Sequence, residues 1–466
     1  MKCLDRPLLE TAGFREAIEK LNGQKGPVRL VGATDAQKVH MMMRAGDFHT
    51  RLIVTYDEQD AVSIAEDARC FSDDVFYFPA KDLLFYQADA KSSALVRERL
   101  KAIKKLLSGE PCTIVTTVQA MMNALPPKKE FSERILTLSE GDRADLKALS
   151  EKLLELGYER TPVVEEPGTF AVHGGIVDIF DLTETNPVRI EFFDDEIDTI
   201  RIFHPVSQVS VKRLRTAEIF PATEFLMSRE RFLNGRAETE REYEKVMKAL
   251  KNRKDLDAAA SLQSFYREVT DCFDRRDFRG IIEQFLPFFY DEPCFPESYL
   301  PENSLLIVNE PVRTEDFAKL QEQEFLESFK LRLEKGMTLP RLSFIMRMTA
   351  PLFASLDTKR TLYFTALDQK LPNVGSSQSF SVDCQRIVPY ESNFDRLLED
   401  LSRYARLGFR ILILVASRTR GSRIAEDLRE RKLKAFFEDK AGDPELKPGQ
   451  ILVTNGTLSG GFVYPM

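Results

Sequence analysis

A turn beginning at Gly32 is the first place where the residue types could support chemistry, because it reads Gly-Ala-Thr-Asp-Ala-Gln-Lys-Val after an apolar run. A phosphate-binding loop has the pattern G-x-x-x-x-G-K-[ST], in which the second glycine lets backbone amides surround the phosphates and the hydroxyl holds magnesium. Gly32 and Lys38 are in register with that pattern, whereas Gln37 replaces the second glycine and Val39 replaces the hydroxyl. Asp35 would also place a negative charge among the phosphates. The residues of this turn therefore predict that it has a structural role and does not bind a nucleotide.

A nucleotide site also needs an acidic residue that holds magnesium at the end of a buried strand. The apolar run 305–308 reads as such a strand, but Asn309 occupies the acidic position and Glu310 follows it. The sequence has thus lost key residues of both the phosphate-binding loop and the magnesium position. The simplest explanation is that the α/β layer of an ancestral ATPase is kept as a structural scaffold. We therefore expect this degenerate nucleotide site, made of Gly32, Lys38, Asn309 and Glu310, to bind neither ATP nor magnesium.

Other catalytic patterns are missing from the sequence as well. The six cysteines are scattered without a C-x-x-C pair, and the four histidines show no metal-ligand spacing such as H-E-x-x-H. The sequence holds no G-x-S-x-G nucleophile elbow. These observations argue against a disulfide framework, a zinc site and acyl-transfer chemistry. We expect no catalytic residues and no enzyme activity in this chain.

Length, charge and hydropathy limit the class of protein further. A chain of 466 residues should hold about three or four domains. Its net charge of -8 argues against broad electrostatic wrapping of nucleic acid and favours protein partners. The apolar runs are far shorter than the about 20 residues that span a bilayer, and Asp5 and Glu10 interrupt any signal peptide. We expect a cytoplasmic protein without a membrane partner.

The hydrophobic patterns divide the chain into four parts. Residues 1–130 alternate strands and helices, which predicts a parallel α/β layer. Residues 131–218 hold a helix and then short strands separated by turn residues, which predicts an antiparallel α+β insert. Residues 219–345 are mostly helical around a lone strand, and residues 355–466 return to α/β alternation in a small domain. The strands predicted for the meander of the insert are 169–172, 176–180, 188–193 and 197–203.

The most specific stretches of the sequence are EPGTFAVHGGIVDIF at 166–180 and VRIEFFDDEI at 188–197. Their period of two predicts β-hairpins. Their residue order resembles G-x-F-x-x-R-G-x-x-[LIV]-D-[LIV]-F-P and R-[LIV]-[DE]-[FL]-F-[DG]-[DE]-E-[LIV]. These two motifs are shared by the repair protein UvrB and the transcription-repair coupling factors (Mfd proteins), and the match is closer to the coupling factors.

Shorter stretches elsewhere in the chain agree with this resemblance. FPAKD at 78–82, followed by Tyr86, is similar to the family segment P-x-[RK]-D-x-x-x-[YF]. IFPATEF at 219–225 is similar to P-A-x-E-F, and NGTLSGGF at 455–462 is similar to G-x-L-x-x-G-F. The resemblance therefore extends, in patches, over nearly the whole chain.

The resemblance implies a multidomain α/β and α+β fold. The expected architecture is a degenerate P-loop (RecA/UvrB-like) α/β domain with an inserted β-rich UvrA-binding domain, followed by a small α/β domain. It also implies an ATP-dependent DNA translocase that displaces stalled RNA polymerase and recruits UvrA in transcription-coupled repair. The motor domains of the family, with their ATP and magnesium, would follow Met466. We expect RNA polymerase and double-stranded DNA to bind that absent part.

The resemblance places the UvrA-binding residues on the insert. The family uses an arginine in a hairpin, a second arginine that begins a later strand and a phenylalanine four residues on, which correspond to His173, Arg189 and Phe193. His173 departs from the family because it has no guanidinium fork for bidentate pairing. Arg189 and Phe193 are four residues apart, so both can project from one face of a strand. Without the resemblance, Arg189 would be interpreted as a cross-strand ion-pair partner and Phe193 as a core residue.

Two other functions are compatible with the sequence. One is a degenerate helicase-like module that still binds nucleotide or damaged DNA. The cluster Arg418, Arg420 and Arg423 at a predicted helix start could contact a phosphate in that case, although pairing with Glu426 and Asp427 is the simpler interpretation. The other function is a purely autoinhibitory scaffold that holds the parent protein closed through intramolecular contacts.

Overall fold

The computed structural model describes residues 4–23, 26–81, 93–275, 280–369, 377–390, 393–439 and 446–464. Asp82 and Tyr86, which belong to one of the short family stretches, lie outside these residues. In chain order the strands are β1 Gly26–Val31, β2 Thr50–Thr55, β3 Val75–Phe78, β4 Cys112–Thr117, β5 Leu136–Ser139, β6 Glu159–Arg160, β7 Thr169–His173, β8 Ile176–Ile179, β9 Val188–Phe193, β10 Glu196–Phe203, β11 Ser210–Leu214, β12 Thr216–Ile219, β13 Ser304–Asn309, β14 Arg360–Thr365, β15 Gln378–Ser381, β16 Gln385–Arg386, β17 Ile411–Val415, β18 Lys434–Phe437, β19 Gln450–Asn455 and β20 Phe462–Val463.

Several helices begin directly after a capping residue of the sequence. Ser and Asp side chains cap several of them, as when Asp57 accepts a hydrogen bond from the Asp60 amide. In chain order the helices are α1 Asp5–Glu10, α2 Ala12–Gly23, α3 Asp35–Arg44, α4 Glu58–Arg69, α5 Ser93–Ser108, α6 Val118–Met122, α7 Lys128–Ser132, α8 Leu146–Glu155, α9 Arg229–Asn252, α10 Leu256–Arg275, α11 Leu286–Phe289, α12 Pro311–Glu334, α13 Thr349–Asp357, α14 Phe394–Arg406 and α15 Arg418–Glu430.

The largest sheet is parallel and has the strand order β15-β1-β14-β13-β2-β4-β3. Its central strands are buried and apolar on both faces, as expected for a parallel sheet covered by helices on each side, whereas the edge strand β15 is polar and mostly exposed. In β13, Leu306 and Val308 belong to one buried core and Leu305 and Ile307 to the other. The predicted parallel α/β layer is therefore confirmed.

The limits predicted for this layer differ from the structure. The strand at 305–308 is not a lone element, because β13 lies in the middle of the large sheet between β14 and β2. β14 and β15 also belong to this sheet, so the α/β alternation after residue 355, predicted to form a small domain, first completes the first domain. The reason is long-range pairing: β1 joins β14 through Val28 and Leu362, and nothing local in either strand specifies that partner.

The predicted insert forms a meander with the order β11-β10-β9-β8-β7-β6. Neighbouring strands from β7 to β11 are antiparallel, and only the short β6 runs parallel to its neighbour β7. One face of the sheet packs against α8, where the core includes Leu153, Ile190 and Ile200. The other face carries the polar residues described below.

A small parallel sheet with the order β17-β19-β18 follows, packed against α14 and α15. The chain then returns to the first domain through residues 456–464, the return segment. Cys70 Sγ donates a hydrogen bond to the Thr457 carbonyl at 2.7 Å, and Ser459 donates to Asp67 through both its amide and its hydroxyl. Within the described residues, no helix has both the length and the hydropathy to cross a bilayer.

Candidate partner-binding surface

The face of the meander turned away from α8 carries all three residues predicted to bind a partner. In β9, Val188 and Ile190 are buried in the core of this domain, so Arg189, Glu191 and Phe193 lie on the opposite face because side chains alternate along a strand. We call this surface, formed by β7, β8, β9 and β10, the outer face.

Arg189 lies at the middle of the outer face and has three partners there. Its Nε and Nη2 atoms each donate a hydrogen bond of 2.7 Å to the two carboxylate oxygens of Asp178, which lies directly opposite on β8. Nη2 also donates to Gln208 Oε1 at 2.9 Å, and the guanidinium lies 4.5 Å from the centre of the Phe203 ring. The bond to Asp178 raises the pKa of Arg189 above its ordinary value. The cross-strand ion pair predicted for Arg189 is therefore confirmed.

Phe193 is 80% exposed at the end of β9, so the interpretation as a core residue is wrong. It precedes the turn to β10, where Asp194 adopts a positive φ of 60°. The neighbouring Phe192 faces the core instead. An exposed aromatic ring of this size on a sheet surface is unusual without a partner, because phenylalanine is among the residues most often buried.

His173 lies at the same end of the outer face as Phe193. It pairs with Ile176 on β8, which in turn pairs with Glu191 on β9, so His173 is level with the residue between Arg189 and Phe193. Two strand spacings separate it from β9, roughly 10 Å. The exposed ring forms a 2.5 Å hydrogen bond between Nε2 and the carbonyl oxygen of Pro162. The fold therefore brings the three predicted residues onto one surface.

The remaining charges of the outer face are paired with each other. Glu191 accepts hydrogen bonds from Arg201 and, at 2.9 Å, from the hydroxyl of Thr199. Burial raises the pKa of Glu191, but these two hydrogen bonds outweigh it and leave the pKa below its ordinary value. Sequence reasoning missed Asp178 and Gln208; Asp178 lies within the family motif, whereas no motif contains Gln208. The outer face thus presents fixed polar groups around one free aromatic ring.

The degenerate nucleotide site is filled by groups of the chain itself. Gly32 has a φ of 97°, and a Cβ atom there would lie 2.4 Å from the carbonyl oxygen of Val382. Asp35 forms an ion pair with Arg386 at 2.8 Å. Burial raises the pKa of Asp67, and Lys38 lies close enough to that carboxyl to oppose the rise slightly. The backbone of Val382 and the side chain of Arg386 therefore lie against this turn.

The residues predicted for the degenerate magnesium position form contacts within the chain. Asn309 is fully buried and its Nδ2 donates to Asp60 Oδ2 at 2.7 Å and Thr55 Oγ1 at 3.3 Å. Glu310 has a φ of 46° and its Oε1 accepts a hydrogen bond from the Ala366 amide at 2.9 Å. In the described parts of the chain, no group of three or more His, Cys, Asp or Glu side chains could hold a metal ion. Asn309 and Glu310 are therefore held by contacts within the chain.

The arginine cluster at the start of α15 is exposed. Arg418 lies 3.8 Å from the Asp439 carboxylate, and Glu426 pairs with Arg429 at 4.0 Å instead of with the cluster. Arg420 and Arg423 are exposed to solvent. The predicted pairing of the cluster with Glu426 is therefore replaced by other ion pairs.

Two of the shorter family stretches meet in a buried ion-pair cluster, which we call the Glu224 clamp: Lys81, Arg99 and Glu224. Arg99 donates to both carboxylate oxygens of Glu224, through Nε at 2.6 Å and Nη2 at 2.9 Å, and Lys81 lies 3.0 Å away. Burial raises the pKa of Glu224, but the two cations outweigh it and lower the pKa to about 2. The clamp joins α5 to the segment that leaves the insert.

Comparison with known proteins confirms the resemblance predicted from the sequence. Residues 136–225, which contain β5 to β12, match the family model of the UvrB interaction domain. The chain is 27% identical to the transcription-repair-coupling factor of Bacillus subtilis over 423 residues, covering 89% of this chain and 35% of that protein. It is 27% identical to the transcription-repair-coupling factor of Staphylococcus epidermidis over 431 residues, which cover 90% of this chain and 35% of that protein. It is 24% identical to the Staphylococcus aureus protein of the same name over 476 residues, which cover 98% of this chain and 38% of that protein. The chain thus spans 35% to 38% of the length of these relatives.

Proposed function

We propose that this chain recruits UvrA to transcription-coupled nucleotide excision repair, and that UvrA binds the outer face of the meander. The observation that carries the proposal is Phe193, an 80% exposed aromatic ring on the same face as the immobilised guanidinium of Arg189. Aromatic and arginine side chains dominate the binding energy of protein interfaces when they are fixed before binding. The match of residues 136–225 to a UvrB interaction domain supports the same surface.

The pairing of charges on the outer face favours binding to a protein over binding to DNA. Arg189 and Arg201 are already paired with Asp178 and Glu191, so neither is available to neutralise a phosphate at low cost. A partner protein needs no such net charge, because it gains from burying Phe193 and from hydrogen bonds to groups that are already in place.

The place of this chain in a larger reaction follows from its relatives, whose name is transcription-repair-coupling factor. We infer that a motor elsewhere in the parent protein uses ATP to move on double-stranded DNA and displaces RNA polymerase stalled at a lesion. This chain then supplies the surface that recruits UvrA in the cytoplasm. It performs no chemistry of its own.

Nucleotide binding is the rival function, and the filled turn at Gly32 disfavours it. A thermal unfolding experiment with millimolar Mg-ATP separates the two functions, because a ligand that binds only the folded state raises the melting temperature. We expect no change in the melting temperature. A rise that is lost in Lys38→Ala would instead support the helicase-like function.

The experiment that tests the proposed function is a calorimetric titration of the folded chain with UvrA. Arg189→Ala and Phe193→Ala should each lower the binding free energy by about 2 kcal/mol or more. Phe344→Ala is the matched control, since that ring is also exposed, at 64%, but lies in the helical region far from the meander in sequence. Binding unchanged in Phe193→Ala, or no binding by the folded parent chain, would overturn the proposal.

A further inference from the structure

Gln208 lies in the loop between β10 and β11 and reaches back to the outer face. Its backbone has a φ of 57°, a left-handed conformation that residues other than glycine rarely adopt. The Gln208 amide donates to the His204 carbonyl at 2.8 Å, and the His204 amide donates to the Val209 carbonyl at 2.9 Å. The loop is therefore closed by its own hydrogen bonds, which fix where the Gln208 side chain begins.

The amide group of Gln208 has a defined orientation. Its Nε2 donates to the Pro205 carbonyl at 2.6 Å, which leaves Oε1 to accept from Arg189 Nη2 at 2.9 Å. The reverse orientation would place two donors against each other at Arg189. The loop thus presents an acceptor oxygen to the guanidinium.

The guanidinium of Arg189 is held on three sides. Asp178 binds Nε and Nη2, Gln208 binds Nη2 and the Phe203 ring covers one face of the plane. The remaining nitrogen, Nη1, has no hydrogen-bond acceptor among the described residues. Because Asp178 already balances the positive charge, Nη1 offers directed hydrogen bonds and little net charge.

We infer that Gln208 is a positioning residue: it orients Arg189 so that Nη1 donates to an oxygen acceptor on the partner protein. This inference rests on the proposed function, since it concerns the same outer face. Asp178 accepts the hydrogen bond of Nε and one of the two hydrogen bonds of Nη2. Gln208 accepts the second hydrogen bond of Nη2, so Nη2 has no proton left to donate to the partner's oxygen, and Nη1 donates to it instead. Gln208 acts only through Arg189.

A double-mutant cycle in UvrA affinity tests the inference with Gln208→Ala, Arg189→Ala and the double variant. Gln208→Ala should weaken binding by roughly threefold to tenfold, and should have no further effect once Arg189 is alanine. Alanine and glutamine have a similar energetic cost in the left-handed backbone conformation at position 208. The difference between Gln208→Ala and the parent therefore reports the loss of the side-chain contacts. Gln208→Glu, which retains an acceptor oxygen for Arg189, should recover part of the affinity. Val209→Ala, 63% exposed in the same loop, is the control and should change affinity less than twofold.

A second measurement separates failure of this inference from failure of the proposed function. Nitrogen-15 NMR of the Arg189 guanidinium in the chain without UvrA should show faster rotation in Gln208→Ala than in the parent or in Val209→Ala. Unchanged rotation, or an effect of Gln208→Ala that persists in the Arg189→Ala background, would overturn the positioning role. If the parent chain binds no UvrA, the proposed function fails, and the NMR comparison still decides whether Gln208 orders Arg189.

Discussion

Replacing Glu224 with glutamine should lower the free energy of unfolding by about 3 to 5 kcal/mol, the usual cost of breaking a buried ion pair by removing one charge. Arg99 is 1% exposed and would keep its charge, with the amide oxygen of the new glutamine, the Pro79 carbonyl and the Phe78 ring as its partners among the described residues. The amide nitrogen of the new glutamine would also face the donors of Arg99 or Lys81, because a carboxylate accepts at both oxygens and an amide at only one.

The pKa of Glu224 gives an independent magnitude for the same contact. Its ordinary value is 4.5 and the cations of the clamp lower it to about 2. A pKa difference of about 2.5, at 1.36 kcal/mol per pKa unit, corresponds to about 3 kcal/mol. Because the folded-state pKa is the lower one, this stabilisation is complete above about pH 4.5 and is lost as the pH falls towards 2.

Urea denaturation at pH 7, monitored by circular dichroism, measures this loss. The urea concentration at the unfolding midpoint should fall, while the dependence of the unfolding free energy on urea concentration should stay the same. The matched control is Glu10→Gln, which removes a carboxylate from the exposed ion pair with Arg6 and should change stability by less than about 0.5 kcal/mol. A loss below about 1 kcal/mol for Glu224→Gln would contradict this prediction. It would mean that Arg99 finds another acceptor or reaches solvent when the carboxylate is gone.

Three further predictions concern the meander and the return segment. Ile190→Ala, at a fully buried position, should destabilise the chain by about 2 to 5 kcal/mol in the same denaturation assay, whereas Phe193→Ala should change stability by less than about 0.5 kcal/mol. His173→Arg should tighten UvrA binding in calorimetry, because it restores a guanidinium fork; weaker binding would show that the ring bound to Pro162 is itself required. Burial lowers the pKa of His40, which contacts Asp5 and Tyr464, so stability should fall as the pH drops below about 6.5, and a scan of melting temperature should show a flatter dependence in His40→Gln.

Much of the local structure could be predicted from the sequence, because strands and helices leave a periodic pattern of apolar residues. The predicted meander strands lie within about one residue of β7, β8, β9 and β10. The assembly of the large sheet could not be predicted in the same way. β14 pairs with β1 across more than half of the chain, and an apolar strand carries no signal that names its partner.

The same limit applies to the candidate site. Alternation along β9 indicates that Phe192 and Phe193 lie on opposite faces, but only the packing of α8 decides that Phe193 is the exposed one. The ion pair of Arg189 with Asp178 could be expected from β-strand pairing. Gln208 could not, because its role depends on a loop conformation with a positive φ that glutamine rarely adopts.

If UvrA binds the outer face of the meander, a site-specific photo-crosslink should form there. A benzophenone amino acid placed at Phe193 in the otherwise native chain should form a covalent product with UvrA on irradiation, and the same probe at Phe344 should form none. The product should disappear when excess unlabelled parent chain is added. Equal crosslinking at the two positions, or crosslinking only at Phe344, would show that the outer face is not the surface that binds UvrA.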